Sequence, residues 1–252
     1  SFHQILSPRF WLYISFINQT PKASVKNLQP KWILLAAFII LFGLRLPTVH
    51  ISIMDPDEAI NGLVANEILD GGLLYKDIID HRTPLVFYLY AGIFSLFGKG
   101  DMTAVHIFFL LMAAGITYWI YRIGAILATE RIGAWGALIY VVVSWSFAPN
   151  HMLAAQPEWP LSFFAVLGIF LWLHFQKKPW LAFALGGFCL GMAAMAKPPA
   201  VWTWMVIPSA SMLQVLAKEK KFIQWIGQNF VAGISFLLPL GVFTAYFAAV
   251  GI

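Results

Sequence analysis

Long apolar runs alternate with short polar segments along most of this chain. Seven runs approach the roughly 20 residues that a helix needs to cross a bilayer; they lie at about 32–49, 103–121, 132–149, 159–175, 179–196, 199–217 and 224–250. An eighth run, 84–98, reaches only ~22 Å at about 1.5 Å per residue, less than the roughly 30 Å hydrocarbon core. The pattern predicts an all-α integral membrane protein with about seven transmembrane helices.

The composition supports a membrane protein and excludes a soluble domain. The chain has 252 residues, of which 60% are hydrophobic and only 11% charged, against about 25% charged in soluble domains. Eleven Trp and eight Tyr residues are typical of interfacial aromatic belts. The net charge of +5 does not indicate nucleic-acid binding, because the basic residues are scattered over short linkers. The single Cys189 lies in an apolar run and implies no disulfide framework.

Charge decides the predicted topology. If residues 84–98 lie in the interface and do not span, nine of the eleven acidic residues fall on one side of the membrane. The linker cations then fall on the other side; they are Arg9, Lys22, Lys26, Lys31, Arg122, Arg131, Lys177, Lys178, Lys218, Lys220 and Lys221. The positive-inside rule therefore predicts a cytoplasmic N-terminus. Residues 1–30 form a cytoplasmic or interfacial segment, and 31–252 form a membrane module with an external loop, 50–102.

The external loop is predicted to open with a short amphipathic helix. Asp55 suits the N-cap, Pro56 the first helical position, and Glu58 the third position of a capping box. Apolar residues follow at helical spacing, which places one apolar face toward the membrane, and Gly71-Gly72 ends the helix. From spacing alone, the helix dipole is the favoured explanation of the acids of the first turn, and a functional role for them stays open.

A second external helix is predicted to start at Thr83-Pro84, just after Arg82. An arginine at a membrane interface either anchors the chain by snorkelling or, beside the free N–H groups of a helix start, binds a phosphate. Spacing alone leaves both interpretations open.

Two further corners carry isolated charges, Glu158 between spans 3 and 4 and Lys197 between spans 5 and 6. Each is an ordinary loop charge or, as an ionisable group in a membrane bundle, a functional candidate. Together with Asp57, Glu58 and Arg82 they suit chemistry on an anionic lipid, in which cations hold a phosphate and a carboxylate takes a proton. The same set is compatible with a transporter or a structural subunit.

The order of these motifs resembles the GT-C glycosyltransferases, in particular the branch that contains the protein O-mannosyltransferases and the lipid A aminoarabinose transferase. The resemblance covers about residues 31–250 and corresponds to the N-terminal membrane module of that family. The matching stretches are Asp57-Glu58-Ala59, Gly71-Gly72-Leu73-Leu74-Tyr75, Arg82-Thr83-Pro84-Leu85, Leu96-Phe97-Gly98, Pro157-Glu158-Trp159-Pro160 and Gly191-Met192-Ala193-Ala194-Met195-Ala196-Lys197.

The resemblance implies transfer of a sugar from a polyprenyl-phosphate carrier to an acceptor at the external or lumenal face, without a metal or another cofactor. Asp57, in the catalytic Asp57-Glu58 pair, would be the general base on the acceptor hydroxyl. Arg82 and Lys197 would bind the carrier phosphate, and Glu158 would line the acceptor side. The implied partners are membrane lipids, the lipid-linked sugar and other membrane subunits, with no nucleic acid, and the predicted location is the bacterial plasma membrane.

The chain departs from the family pattern in several places. Ile60-Asn61 replace the aromatic or basic residue that often follows Asp-Glu-x, and His106 stands where an arginine usually begins the next span. Because the chain opens at Ser1 and stops inside an apolar run, we expect a longer protein. These departures motivate an alternative function as a non-catalytic accessory subunit of a larger membrane complex, in which His106 and His174 are candidate ligands of haem or chlorophyll.

Overall fold

The computed structural model describes residues 28–146 and 153–252. The predicted N-terminal segment therefore lies almost entirely outside the described residues. The helices are α1 (Pro30–Arg45), α2 (Pro56–Leu69), α3 (Leu85–Phe97), α4 (Met102–Leu127), α5 (Glu130–Ser146), α6 (Glu158–His174), α7 (Pro179–Ala196), α8 (Val201–Trp204), α9 (Val206–Leu216) and α10 (Phe222–Ala249). Short 3-10 turns, Leu46–His50 and Pro198–Ala200, follow α1 and α7.

Contacts between the helices show that their directions alternate. His106, near the start of α4, lies with Glu58 beside Ala155, which precedes α6. Arg122, near the end of α4, lies 5.5 Å from the ring of Phe170, near the end of α6. The starts of α4 and α6 lie close together and so do their ends, so these two helices run parallel. The connecting helix α5 therefore runs in the opposite direction.

The alternation gives the bundle two chemically different ends. The loops after α4, α6 and α9 lie at one end, and five of the eleven linker cations lie in the loops after α6 and α9: Lys177, Lys178, Lys218, Lys220 and Lys221. The loop with α2 and α3 lies at the other end, together with the turns before α6 and after α7. The polar corners, meaning the segments that carry the candidate site residues of the sequence analysis, therefore share one end of the bundle.

The all-helical membrane class is confirmed. Among the described residues, four helical stretches are long and apolar enough to cross a bilayer: Pro30–His50, Met102–Leu127, Pro179–Ala196 and Phe222–Ala249. The apolar helices Leu85–Phe97 and Glu158–His174 are shorter. The count of seven spans stays a prediction.

The predicted sixth run, 199–217, is broken into a 3-10 turn and two helices, α8 and α9. The break falls at Met205, three residues before Pro208. Proline has no N–H to bond the carbonyl of Trp204, four residues earlier, so the helical hydrogen-bond ladder is interrupted there.

The backbones of α7 and α10 touch at two glycines. A Cβ atom built on Gly187 would lie 2.2 Å from the Ala232 carbonyl oxygen, and one on Gly191 would lie 2.2 Å from the Phe236 carbonyl oxygen. Gly187 and Gly191 are four residues apart and share one helix face, the small-xxx-small pattern of close helix packing in membranes. This contact holds α10, the least buried of the long helices, against the rest of the bundle.

The first external helix begins and ends as predicted, but its buried face differs. Asp55 is the N-cap, its side chain accepting a hydrogen bond from Asp57 N at 2.9 Å, and α2 starts at Pro56. The buried face of α2 includes Glu58 and Asn61 and packs toward α3 and α4, so it is not purely apolar; the predicted orientation of the apolar residues toward the membrane stays a prediction. Leu63 on the other side is 70% exposed. The Glu58 carboxylate and the Asn61 Oδ1 both accept hydrogen bonds in this face, whereas Asn61 Nδ2 has no hydrogen-bond partner among the described residues.

The second external helix begins at Leu85, one residue after the predicted start. Pro84 is the N-cap, and Thr83 does not cap, since its Oγ1 is buried without a hydrogen-bond partner among the described residues. The aromatic and aliphatic face of α3 is almost fully buried, with Val86, Phe87 and Tyr90 at 0% exposure. This short helix is therefore a packed part of the bundle end.

Candidate functional site

Asp57 and Arg82 form an ion pair across the external loop. The Arg82 Nη2 lies 2.7 Å from Oδ1 of Asp57, and the Arg82 Nη1 donates to Oδ1 of Asn61 at 3.1 Å. Asp57 and Asn61 are four residues apart on α2 and so share one face of the helix. Two acceptors on successive turns of α2 thus hold the two ends of one guanidinium group.

The backbone of Arg82 is fixed as firmly as its side chain. Its N–H donates to Oδ1 of Asp80 at 2.8 Å, and the Tyr75 hydroxyl donates to its carbonyl oxygen at 2.6 Å. Tyr75 has a φ of 72°, a left-handed conformation that costs free energy in a residue with a bulky side chain. Burial, with a smaller contribution from the Asp80 carboxylate, raises the pKa of Tyr75 to about 12, so its hydroxyl keeps the proton that it donates.

Glu58 lies next to Asp57 but is fully buried. Its Oε1 accepts from His106 Nε2 at 3.0 Å and from the backbone N–H of Ala155, and its Oε2 accepts from the N–H of Met54 at 2.7 Å. Glu58 therefore bonds the N–H of Met54, the residue before the N-cap. The predicted capping box would instead place this bond on the N–H of Asp55. Burial by itself raises the pKa of Glu58, but the hydrogen bonds from His106, Ala155 and Met54 outweigh it and hold the pKa below its ordinary value.

A second contact joins the turn before α6 to the external loop. The hydroxyl of the fully buried Tyr90 on α3 donates to the Ala155 carbonyl oxygen at 2.7 Å. The N–H and the carbonyl of Ala155 are thus both bound, one by Glu58 and one by Tyr90. Trp159 Nε1 donates to the Ala154 carbonyl at 3.0 Å and so fixes the neighbouring peptide.

Glu158 and Lys197 form the second ion pair of the site. Lys197 Nζ donates to Oε1 of Glu158, and both side chains remain partly exposed, at 45% and 35% respectively. Glu158 is the first residue of α6 and Lys197 follows the last residue of α7. Leu85, three residues after Arg82, belongs to one apolar cluster with Ala196. The two ion pairs therefore lie on neighbouring corners of the same bundle end.

The structure brings the five site residues predicted from sequence to one end of the bundle and pairs four of them. Asp57 pairs with Arg82, and Glu158 with Lys197. Glu58 is separated from solvent with both oxygens occupied, which indicates a positioning role and not proton transfer.

Several residues of the site were not recognised in the sequence. Asn61 was noted only as a departure from a family pattern, and Tyr90 is one of many aromatic residues within the apolar runs. Arg45 lies buried at the end of α1, its guanidinium carbon 3.8 Å from the Trp159 ring centroid. An arginine at the end of an apolar run is the one signal that could have marked it.

The two histidines considered as candidate ligands of haem or chlorophyll contact other side chains of the protein. His106 uses Nε2 to bind Glu58, and its Nδ1 is buried. His174 stacks on the Phe170 ring at a centroid distance of 5.3 Å. Within residues 28–146 and 153–252, no group of three or more His, Cys, Asp or Glu side chains could hold a metal ion.

The class of protein follows from the similarity of the chain to known proteins. Residues 81–235 match the model of the family described as dolichyl-phosphate-mannose-protein mannosyltransferase. Among solved structures, the chain resembles the S. cerevisiae protein O-mannosyltransferase Pmt1-Pmt2 complex bound to the sugar donor, with a TM-score of 0.64 and 17% identity. The match covers 90% of this chain and 34% of the yeast chain, so this chain spans about a third of the length of that protein. No curated protein sequence matches significantly.

The molecule is thus an integral membrane protein with the helical fold of the GT-C glycosyltransferases. Because the family model spans more than half of its residues, the chain belongs to the dolichyl-phosphate-mannose-protein mannosyltransferase family. The resemblance stated from the sequence motifs is confirmed.

Proposed function

We propose that this protein transfers a sugar from a polyprenyl-phosphate carrier to a hydroxyl acceptor at the external face of the membrane. The observation that supports this most directly is the Asp57–Arg82 pair, held at the N-terminus of α2 beside the Glu58–Ala155 contact. It places a carboxylate and a guanidinium, the base and the phosphate ligand that such a transfer needs, within 2.7 Å of each other.

The reaction is a single displacement. The acceptor hydroxyl oxygen attacks the anomeric carbon, the bond from that carbon to the carrier phosphate oxygen breaks, and the polyprenyl phosphate leaves with the bonding electrons. Asp57 accepts the hydroxyl proton, and attack from the face opposite the leaving group inverts the anomeric carbon. Correct placement of the two substrates supplies much of the rate.

The cations stabilise the leaving group. Arg82 offers a planar fork that matches a phosphate, and Lys197 adds a point charge at the adjacent corner. Glu158, paired with Lys197, lines the acceptor side. Glu58 holds the turn before α6 against α2 and so orients Asp57 without touching the substrates.

The topology supports the external face as the place of reaction. The acidic corners lie at the end of the bundle opposite the basic linkers, and the positive-inside rule assigns basic linkers to the cytoplasm. A carrier phosphate with a long lipid tail reaches this end from the adjacent leaflet.

The test is transfer from a radiolabelled polyprenyl-phosphate sugar by the protein purified in lipid nanodiscs. We expect Asp57→Asn and Arg82→Ala each to reduce turnover by about 100-fold or more, the usual range for loss of a general base or an electrostatic stabiliser. Asp70→Asn is the matched control, since Asp70 is 61% exposed and pairs with Lys99 at the far end of α2. Folded protein with no turnover on several donors would contradict the proposal and favour the accessory-subunit alternative.

A further inference from the structure

We infer that Asp57 and the carrier phosphate compete for Arg82, so that binding of the phosphate frees Asp57 to act as the base, while Asn61 holds the guanidinium in both states. The inference rests on the proposed function for the role of the freed carboxylate. The competition itself is a property of three side chains and is testable by binding alone.

Arg82 has little free surface with which to meet a second anion. Its side chain is only 20% exposed, and its two terminal nitrogens are bound, Nη2 to Asp57 at 2.7 Å and Nη1 to Asn61 at 3.1 Å. Three further N–H groups of the guanidinium remain, but a phosphate on any of them would share one positive charge with the Asp57 carboxylate, and the two anions repel each other. Binding of the phosphate therefore weakens the contact of Arg82 with one of its present acceptors.

Exposure identifies the acceptor that leaves. The Asp57 side chain is 41% exposed and can turn to water, where a carboxylate is well solvated. Asn61 is 0% exposed, so its amide has no solvent to turn to. A neutral amide also binds the guanidinium without the charge that would repel a phosphate. Asp57 is thus the exchangeable partner and Asn61 the permanent one.

The exchange couples donor binding to the availability of the Asp57 carboxylate. While Asp57 accepts a hydrogen bond from Arg82, its Oδ1 is occupied. Once the phosphate has taken Arg82, that oxygen is free to accept the hydrogen bond of an acceptor hydroxyl. The arrangement keeps the base inactive until the donor is in place, and it makes Asn61 a positioning residue that acts through Arg82.

The experiment measures binding of farnesyl monophosphate to the nanodisc-embedded protein by isothermal titration calorimetry. We expect Asp57→Asn to lower the dissociation constant by about fivefold or more, the smaller end of typical coupling between linked sites. Asn61→Asp, which has the same shape but adds a buried carboxylate facing Arg82, should raise the dissociation constant by a similar factor. Asp70→Asn makes the same charge change as Asp57→Asn but outside the site, and it should leave the dissociation constant unchanged.

Two further probes identify what is recognised. Inorganic phosphate should bind more weakly but rank the variants in the same order, whereas farnesol, which has the chain and no phosphate, should not distinguish them. If farnesol follows the same order, the variants act on the lipid chain and the inference is wrong. Equal tightening by Asp57→Asn and Asp70→Asn would mean a general charge effect and would also overturn it.

Thermal unfolding of each variant shows whether it is folded. Asp57→Glu, which keeps the charge, should not bind farnesyl monophosphate more tightly than wild type. If Asp57→Asn does not fold, the result for Asn61→Asp decides, and unchanged or tighter binding in Asn61→Asp overturns the inference. Loss of binding in Arg82→Ala with no change in Asp57→Asn would refute the competition and leave the proposed function standing. Tighter binding in Asp57→Asn, combined with an absence of transferase activity in the wild-type protein, would support the competition and contradict the proposed function.

Discussion

Glu58 Oε1 lies 3.0 Å from Nε2 of His106, and this buried contact joins the start of α2 to the start of α4. Both side chains are almost completely shielded, at 0% and 3% exposure. The same carboxylate oxygen accepts the N–H of Ala155, so one atom connects three segments that are distant in the sequence. The active face of the proposed enzyme depends on this junction.

Removing the donor at position 106 should destabilise the protein. His106→Leu leaves the buried Glu58 carboxylate short of one hydrogen bond, which costs about 1–3 kcal/mol of unfolding free energy. His106→Gln is the matched control, because its amide N–H can approach the same oxygen and should recover much of the loss. The measurement is thermal unfolding in detergent; equal melting temperatures for wild type and His106→Leu would contradict the expectation.

Stability should fall in acid because of Glu58. Its folded pKa lies below the ordinary value of 4.5, so the stabilisation is complete above that value and is lost as the pH falls through the folded pKa. Unfolding midpoints measured between pH 7 and pH 3 should therefore decrease more steeply in wild type than in Glu58→Gln. The variant should already be less stable at pH 7, because its NH₂ group faces backbone N–H donors. Parallel pH profiles would show that Glu58 does not contribute.

Lys197 should affect the donor more than the fold. Lys197 and Glu158 are both partly exposed, and such ion pairs contribute at most about 1 kcal/mol to stability. Lys197→Met should therefore change the melting temperature little, yet raise KM for the lipid-linked sugar by removing a phosphate ligand. Lys99→Met, at the exposed pair with Asp70, serves as the control. A large loss of stability with unchanged KM would assign Lys197 a structural role.

The α7–α10 contact should not tolerate a methyl group. In Gly191→Ala the new Cβ would lie 2.2 Å from the Phe236 carbonyl oxygen, so the two backbones must separate. We expect a loss of about 1–3 kcal/mol, the usual cost of overpacking. Gly241→Ala in α10 is the control, since nothing lies within 4 Å of its Cβ, and helix propensity should make it neutral or slightly stabilising. Equal behaviour of the two variants in thermal unfolding would refute the close contact.

Local chemistry explains why much of the chain could be predicted. Apolar runs define the long helices because a bilayer requires about 20 apolar residues, and the Asp55-Pro56 pair sets the start of α2 through backbone capping. The break at Met205 was missed because the apolar run continues through it. Helix boundaries near proline depend on which carbonyl loses its partner, a detail that hydropathy does not record.

What the sequence determined by itself is the membrane class, the family and the charged residues of the polar corners, because hydropathy, helix capping and short motifs are local properties. Only the tertiary structure decided how those charges are used. It paired Arg82 with both Asp57 and Asn61, and it buried Glu58 against His106. These partners lie 21 to 48 residues apart in the chain, and packing alone determines whether two such groups meet.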